Sequence, residues 1–121
     1  MKYVYTIVVA FALLAGCTTY QMSGVPDFKT ITTGVYSGGY PTADGMDKLN
    51  TIGIRTLIWV HPYDDSINDI SALAKQYHVI LVVESIDVPT PSSTKALVQD
   101  IKSAPKPVYV YGAPWLTSSY F

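Results

Sequence analysis

Lys106-Pro107-Val108-Tyr109-Val110-Tyr111-Gly112-Ala113-Pro114-Trp115-Leu116-Thr117-Ser118-Ser119-Tyr120-Phe121 is the stretch that decides how the rest of the chain is read. Pro107 opens a β-branched and aromatic run from Val108 to Tyr111, and Gly112 and Pro114 stop it. This pattern predicts a buried strand running into a loop. The segments upstream, from Val35 on, are spaced to set that loop at one edge of a sheet.

Two further runs, Thr56-Leu57-Ile58-Trp59-Val60 and Val79-Ile80-Leu81-Val82-Val83, are continuously apolar, as strands buried on both faces of a parallel sheet are. Helical spacing fills the gaps between strands. Thr42 is an N-cap before the stripe Met46, Leu49, Ile52, with Gly53 at the C′ position. Ser66 and Asp69 fit a capping box before Ile67, Ile70, Leu73, Ala74 and Tyr77. Thr90 followed by Pro91 gives an N-cap and a Pro at N1 before Thr94, Leu97, Val98 and Ile101. Phe28–Thr32 and Val35–Ser37 are two short strands around Thr33-Gly34. From Val35 the elements alternate strand, helix, strand, which predicts a three-layer α/β domain with a mostly parallel sheet and flanking helices.

The start of the chain has a different character. Lys2 precedes an apolar run that ends in Leu14-Ala15-Gly16-Cys17. A single positive charge, about a dozen apolar residues and small residues at the end make an export signal. It is too short to span a bilayer comfortably as a mature helix. Leu14-Ala15-Gly16-Cys17 resembles the lipobox of bacterial lipoproteins. That resemblance implies cleavage before Cys17, acylation of Cys17, and a membrane as partner through the acyl chains. Thr18 after the Cys implies the periplasmic side of the outer membrane in a Gram-negative cell. The expected organisation is a signal peptide at 1–16, a lipidated tether at 17–27 and a domain at 28–121.

Cys17 is the only cysteine, so its lipidation leaves no disulfide, thiolate nucleophile or Cys-based metal site. Without residues 1–16, seven bases face nine acids, which argues against a nucleic-acid partner, which would want a basic face. No cofactor fingerprint is present: Gly38-Gly39 lacks the other glycines and the Lys of a nucleotide loop.

Ligands of open α/β sheets bind outside the carboxyl ends of the strands. Those ends supply His61, Asp64, Asp65, Glu84, Asp87 and the loop after Tyr111, while Arg55 and Lys106 lie at amino ends. His61 with Asp64 and Asp65 could hold a divalent metal and serve a hydrolase of another class, though no close ligand spacing backs it. Asp87 is a candidate general acid or base. Asp64 and Asp65 also suit a helix N-terminus, where the dipole favours negative charge. His78, at a helix end, reads as structural. Ser118 and Ser119 lack the Gly-x-Ser-x-Gly turn of a hydrolase elbow.

Several segments together resemble the bacterial dual-specificity and tyrosine-phosphatase-like superfamily. They are Val35-Tyr36-Ser37-Gly38-Gly39-Tyr40-Pro41-Thr42, Leu49 to Ile58 with its Gly53-Ile54-Arg55-Thr56, Asp87 to Pro91, and Lys106-Pro107-Val108-Tyr109-Val110. The family's chemistry resides in His-Cys-x-x-Gly-x-x-Arg. The Cys attacks phosphorus, the loop amides and the Arg hold the phosphoryl oxygens, and an upstream Asp protonates the leaving group. Laid on this chain, those positions are Tyr111, Gly112, Trp115 and Ser118, and Asp87 matches the acid. The resemblance implies the fold and argues against the activity. The family also continues into a further helix, so this chain is expected to be C-terminally truncated, with an apolar sheet face left for a protein partner or the membrane to cover. Trp115-Leu116 and Tyr120-Phe121 are apolar enough to replace part of that helix. The expected function is binding or scaffolding by an inactive domain. The alternatives are a truncated or frameshifted remnant of an active phosphatase and the hydrolase using His61.

Overall fold

The computed structural model describes residues 22–60 and 66–121. Five strands form one sheet: β1 (Lys29–Thr32), β2 (Val35–Gly38), β3 (Thr56–Val60), β4 (Ile80–Glu84) and β5 (Val108–Tyr111). Three helices connect them: α1 (Ala43–Thr51), α2 (Ser66–Gln76) and α3 (Pro91–Ser103). The strand order is β1-β2-β5-β3-β4. β1 and β2 form an antiparallel hairpin, and every other pairing is parallel. The mixed α/β sheet with flanking helices is the architecture that the alternation predicts.

The helix ends explain the local fidelity. Thr42 Oγ1 accepts from Gly45 N at 3.0 Å and caps α1. At its other end, Gly53 N donates to Asn50 O and Ile54 N to Leu49 O, with Gly53 at φ +88. That double bond pattern is a Schellman close, and it needs a residue in the left-handed region. α2 ends the same way, with His78 N donating to Lys75 O and Val79 N to Ala74 O. Here the left-handed position is His78, at φ +57. Thr90 and Ser93 form a complete capping box on α3, and Pro91 stands in its first turn. The Ser66 side chain lies outside the described residues, so the capping box expected there does too.

The two faces of the sheet bury separate clusters. Met46, Leu49, Ile70 and Ala74 from α1 and α2 pack on Leu57, Trp59 and Tyr109. Leu97, Val98 and Ile101 from α3 pack on Val35, Ile58, Val60, Val108 and Val110. Burying a Leu or Ile side chain stabilises by about 1.5–3 kcal/mol, so the α3 stripe is a major anchor of its face.

Four expectations are corrected. Residues 22–27 are not a bare tether: Val25 is 1% exposed in the first cluster, and Gly24 O accepts from Thr42 N at 2.9 Å. Ile52 is not part of the buried α1 stripe; it stands at the C-cap, 40% exposed. β4 is not buried on both faces. It forms the outer edge of the sheet, and Ile80 and Val83 are exposed. The sheet face expected to lie bare is covered in part, because Ala113 and Leu116 from the loop after β5 bury beside α3. Trp115 and Phe121 pack against the same cluster. The apolar tail thus buries part of that face itself.

Candidate functional site

A cavity of about 380 Å³ opens where β2 and β5 end. Its walls come from the β1–β2 hairpin, from Gly38-Gly39 and from Tyr111-Gly112-Ala113-Pro114. Parallel register sets Ser37 beside Val110 and Gly38 beside Tyr111, so the two loops leave the sheet side by side. Tyr109 fixes their spacing. Its ring is fully buried, stacks with Phe28 at 6.4 Å, and its hydroxyl donates to Gly39 O at 2.5 Å. Burial pushes the Tyr109 phenol well up, with the nearby Tyr111 and Asp27 adding to the shift, so the hydroxyl keeps its proton and remains a donor.

Gly112 is the tightest point of the site. Its φ is +86, in the left-handed region, and a Cβ placed on it would run into the Val60 carbonyl oxygen. Neither the backbone nor the neighbouring strand leaves room for a side chain there. Tyr111 packs with its ring centroid 4.2 Å from that of Trp59, and Tyr40 meets both rings edge-on, at 5.3 Å from Trp59 and 5.9 Å from Tyr111. An aromatic trio thus supports the loop from the α1 and α2 face.

Among the described residues, two buried polar atoms at this end of the sheet lack a hydrogen-bond partner: Ser37 Oγ and Trp115 Nε1. Leaving such a group unpaired costs about 1–3 kcal/mol. Ser37 lines the cavity and is 3% exposed. Trp115 lines a second, shallower groove along α3, with Lys95 and Lys102. Ser118 lies in an exposed turn. Of the four positions on which the resemblance lays the motif, Tyr111 and Gly112 reach the cavity, and Trp115 and Ser118 do not.

The other sequence candidates are dispersed. Asp87 is exposed in the loop before α3 and lines neither cavity. Glu84 ends the edge strand β4. A hydrogen bond with Asp100 raises its carboxyl to about 7, aided by burial and by the Asp100 charge. His61, Asp64 and Asp65 lie outside the described residues, as does Cys17. Among the described residues no three His, Cys, Asp or Glu side chains are grouped as a metal would require, and no helix is long and apolar enough to cross a membrane. Lys106, at an amino end, donates to Ile101 O, Lys102 O and Ala104 O at 2.8–3.1 Å and so closes α3.

Lys29 is the residue that sequence reasoning missed. The carboxyl edge reads as lacking a cation, yet Lys29 lines the cavity from β1. The hairpin register pairs it directly with Ser37.

No family model matches the chain, and no curated protein matches it. Solved structures do match. A DUF442 protein of Shewanella putrefaciens CN-32 superposes with a TM-score of 0.61 at 20% identity, over 73% of this chain and 59% of its own. TpbA of P. aeruginosa, solved in complex with pTyr, gives 0.64 at 13% identity, over 80% and 59%. The core catalytic domain of the PP-IP phosphatase SIW14 of S. cerevisiae gives 0.58 at 17% identity, over 72% and 56%. The fold is tyrosine-phosphatase-like. At these identities the likeness is one of fold alone, and the chain spans about three fifths of the length of the structures it matches. Within this phosphatase-like fold, Gly112 begins the loop at the end of β5, and the cavity lies beside it.

Proposed function

We propose that the protein is a lipid-anchored protein of the bacterial envelope whose phosphatase-like domain binds a ligand and does not transfer phosphoryl groups. The observation that carries this reading is Gly112. At the position that the resemblance gives to the thiolate, the backbone is left-handed and Val60 O fills the space of a side chain. Without a nucleophile no phosphoenzyme bond forms. With Ser118 exposed at the Arg position, no cation from the loop neutralises the equatorial oxygens. Asp87 then has no leaving group to protonate. The cavity beside Gly112 supports binding as the retained function. The test is turnover of p-nitrophenyl phosphate and phosphotyrosine by the purified chain. None is expected, and turnover that survives removal of trace phosphatases would end the reading.

The anchor is Cys17, with the protein at the periplasmic side of the outer membrane in a Gram-negative host. Labelled palmitate is expected to enter the wild type and not Cys17→Ser, which is released from membranes. Equal membrane retention of the two would exclude the lipid anchor. A second reading is a remnant of an active phosphatase, whose motif residues Gly112 and Ser118 do not supply. A His-Cys-x-x-Gly-x-x-Arg in another frame of the coding DNA after Tyr109 would support it over the binding reading.

A further inference from the structure

The cavity beside Gly112 has three polar side chains in its wall that the fold itself does not use. Lys29 and Ser37 are directly opposed across the hairpin, so their side chains leave the same face of the sheet as neighbours. Asp27, at φ +55, lines the same cavity two residues before Lys29. Among the described residues neither Asp27 nor Lys29 is ion-paired, and the Ser37 hydroxyl is buried without a partner. The opposite wall, from Tyr111 to Pro114, is mostly apolar.

The ligand class follows from the charges. A simple anion would meet Lys29 but also face Asp27. A simple cation would meet the reverse. An uncharged guest would take water from Lys29 and return no charge to it, while exposed Asp27 at the cavity mouth would gain no partner. A molecule with one charge of each sign satisfies both walls, and charge-assisted hydrogen bonds favour it. We propose that the cavity binds a small zwitterion of the free α-amino acid class. Its carboxylate meets the Lys29 ammonium and the Ser37 hydroxyl, its ammonium meets Asp27, and its side chain rests on Ala113 and Pro114. A volume of about 380 Å³ is at the small end for ligand cavities, which suits such a molecule and is too little for a folded peptide. The proposal rests on the reading that the loop after β5 binds and does not catalyse.

The test titrates glycine, L-alanine and L-leucine into the full chain in detergent micelles, read by calorimetry and by the amide resonances of Gly38, Gly39 and Gly112. Acetate, methylamine and inorganic phosphate are the single-charge probes. L-Leucine is expected to shift those amides saturably, and each single-charge probe to bind about tenfold more weakly or worse. Lys29→Met and Asp27→Asn are each expected to weaken L-leucine binding by about tenfold. Ser37→Ala is expected to weaken it several-fold while the thermal midpoint of the free protein stays level or rises, since an unpaired hydroxyl has been removed. Acetate or phosphate binding as tightly as L-leucine would overturn the proposal. So would unaltered L-leucine binding in both charge variants, or no saturable shift with any of the three amino acids up to about 10 mM. Phosphoester turnover would end the reading of the loop as non-catalytic. Absent amino-acid binding without turnover would end this proposal alone.

Discussion

At the amino ends of the strands, polar groups are matched. Lys106 donates to three carbonyls at the end of α3, Thr56 Oγ1 donates to Pro105 O at 2.8 Å, and the ends of α1 and α2 are closed by paired bonds. At the carboxyl ends several are not. Among the described residues Ser37 Oγ and Trp115 Nε1 are buried without hydrogen-bond partners, Lys29 and Asp27 form no ion pair, and Glu84 shares a hydrogen bond with another acid. Both ends belong to one small sheet. The difference teaches that, among the described residues, the molecule keeps its buried unpartnered polar groups on the side where open α/β sheets bind ligands.

The sharpest way to break this comparison is to treat Gly112 as a vacancy. If the carboxyl end were an idle active site, Gly112→Cys would restore a nucleophile at little structural cost. The geometry predicts the opposite. A left-handed backbone with a side chain, plus overlap with the Val60 carbonyl, should cost about 3–5 kcal/mol. Urea titration is expected to show that loss, and phosphoester assays no turnover. A stable, active Gly112→Cys would show that the loop is still an enzyme's. Lys106→Met probes the matched end. Its ammonium answers three carbonyls at a helix C-terminus, so the variant should lose about 1–2 kcal/mol, and the loss should shrink in high salt. No loss would mean that the amino end is no better compensated than the carboxyl end.

How far the sequence foretells each end follows the same division. The α3 stripe of Thr94, Leu97, Val98 and Ile101 is buried as its period demands, and the all-apolar β3 is buried at every position. Caps and periods are local, and local rules govern the helix ends. The β4 run looks the same as β3 in composition, but its exposure depends on where it falls in the strand order, which composition does not encode. Leu116 buries fully from a segment with no period to announce it. Lys29 becomes part of the cavity only through the hairpin register that sets it opposite Ser37, a pairing that a one-residue slip would undo. Gly112 is visible as a glycine that ends a strand, but the reason it must be glycine lies in β3, more than fifty residues upstream.

The amino end has one imperfection, and it offers a finer test. His78 holds the left-handed closing position of α2 that Gly53 holds in α1. A side chain there is strained where glycine is not, so His78→Gly should stabilise by roughly 0.5–1 kcal/mol, offset in part by the greater freedom of glycine in the unfolded chain. Thermal unfolding reads the change. A marked loss would show that the imidazole does more than end a helix and that the amino end has a task of its own.

Glu84 gives the smallest effect and the one that separates the two ends by pH. Its carboxyl is raised from the ordinary 4.5 to about 7, first by the hydrogen bond with Asp100, then by burial and by the Asp100 charge. The folded protein therefore binds the proton more tightly than the unfolded chain does. The stability this adds is fully present below pH 4.5 and is lost as pH rises through about 7. The carboxyl remains mostly in solvent, so screening keeps the contribution below about 1 kcal/mol. Glu84→Gln retains a donor for Asp100 and removes the titration. The difference in midpoint between wild type and variant should thus be near zero at pH 4.5 and grow in favour of the variant by pH 8. A difference that stays flat with pH would mean that Glu84 and Asp100 do not share a proton. The carboxyl end would then owe its unmatched character to the cavity beside Gly112 alone.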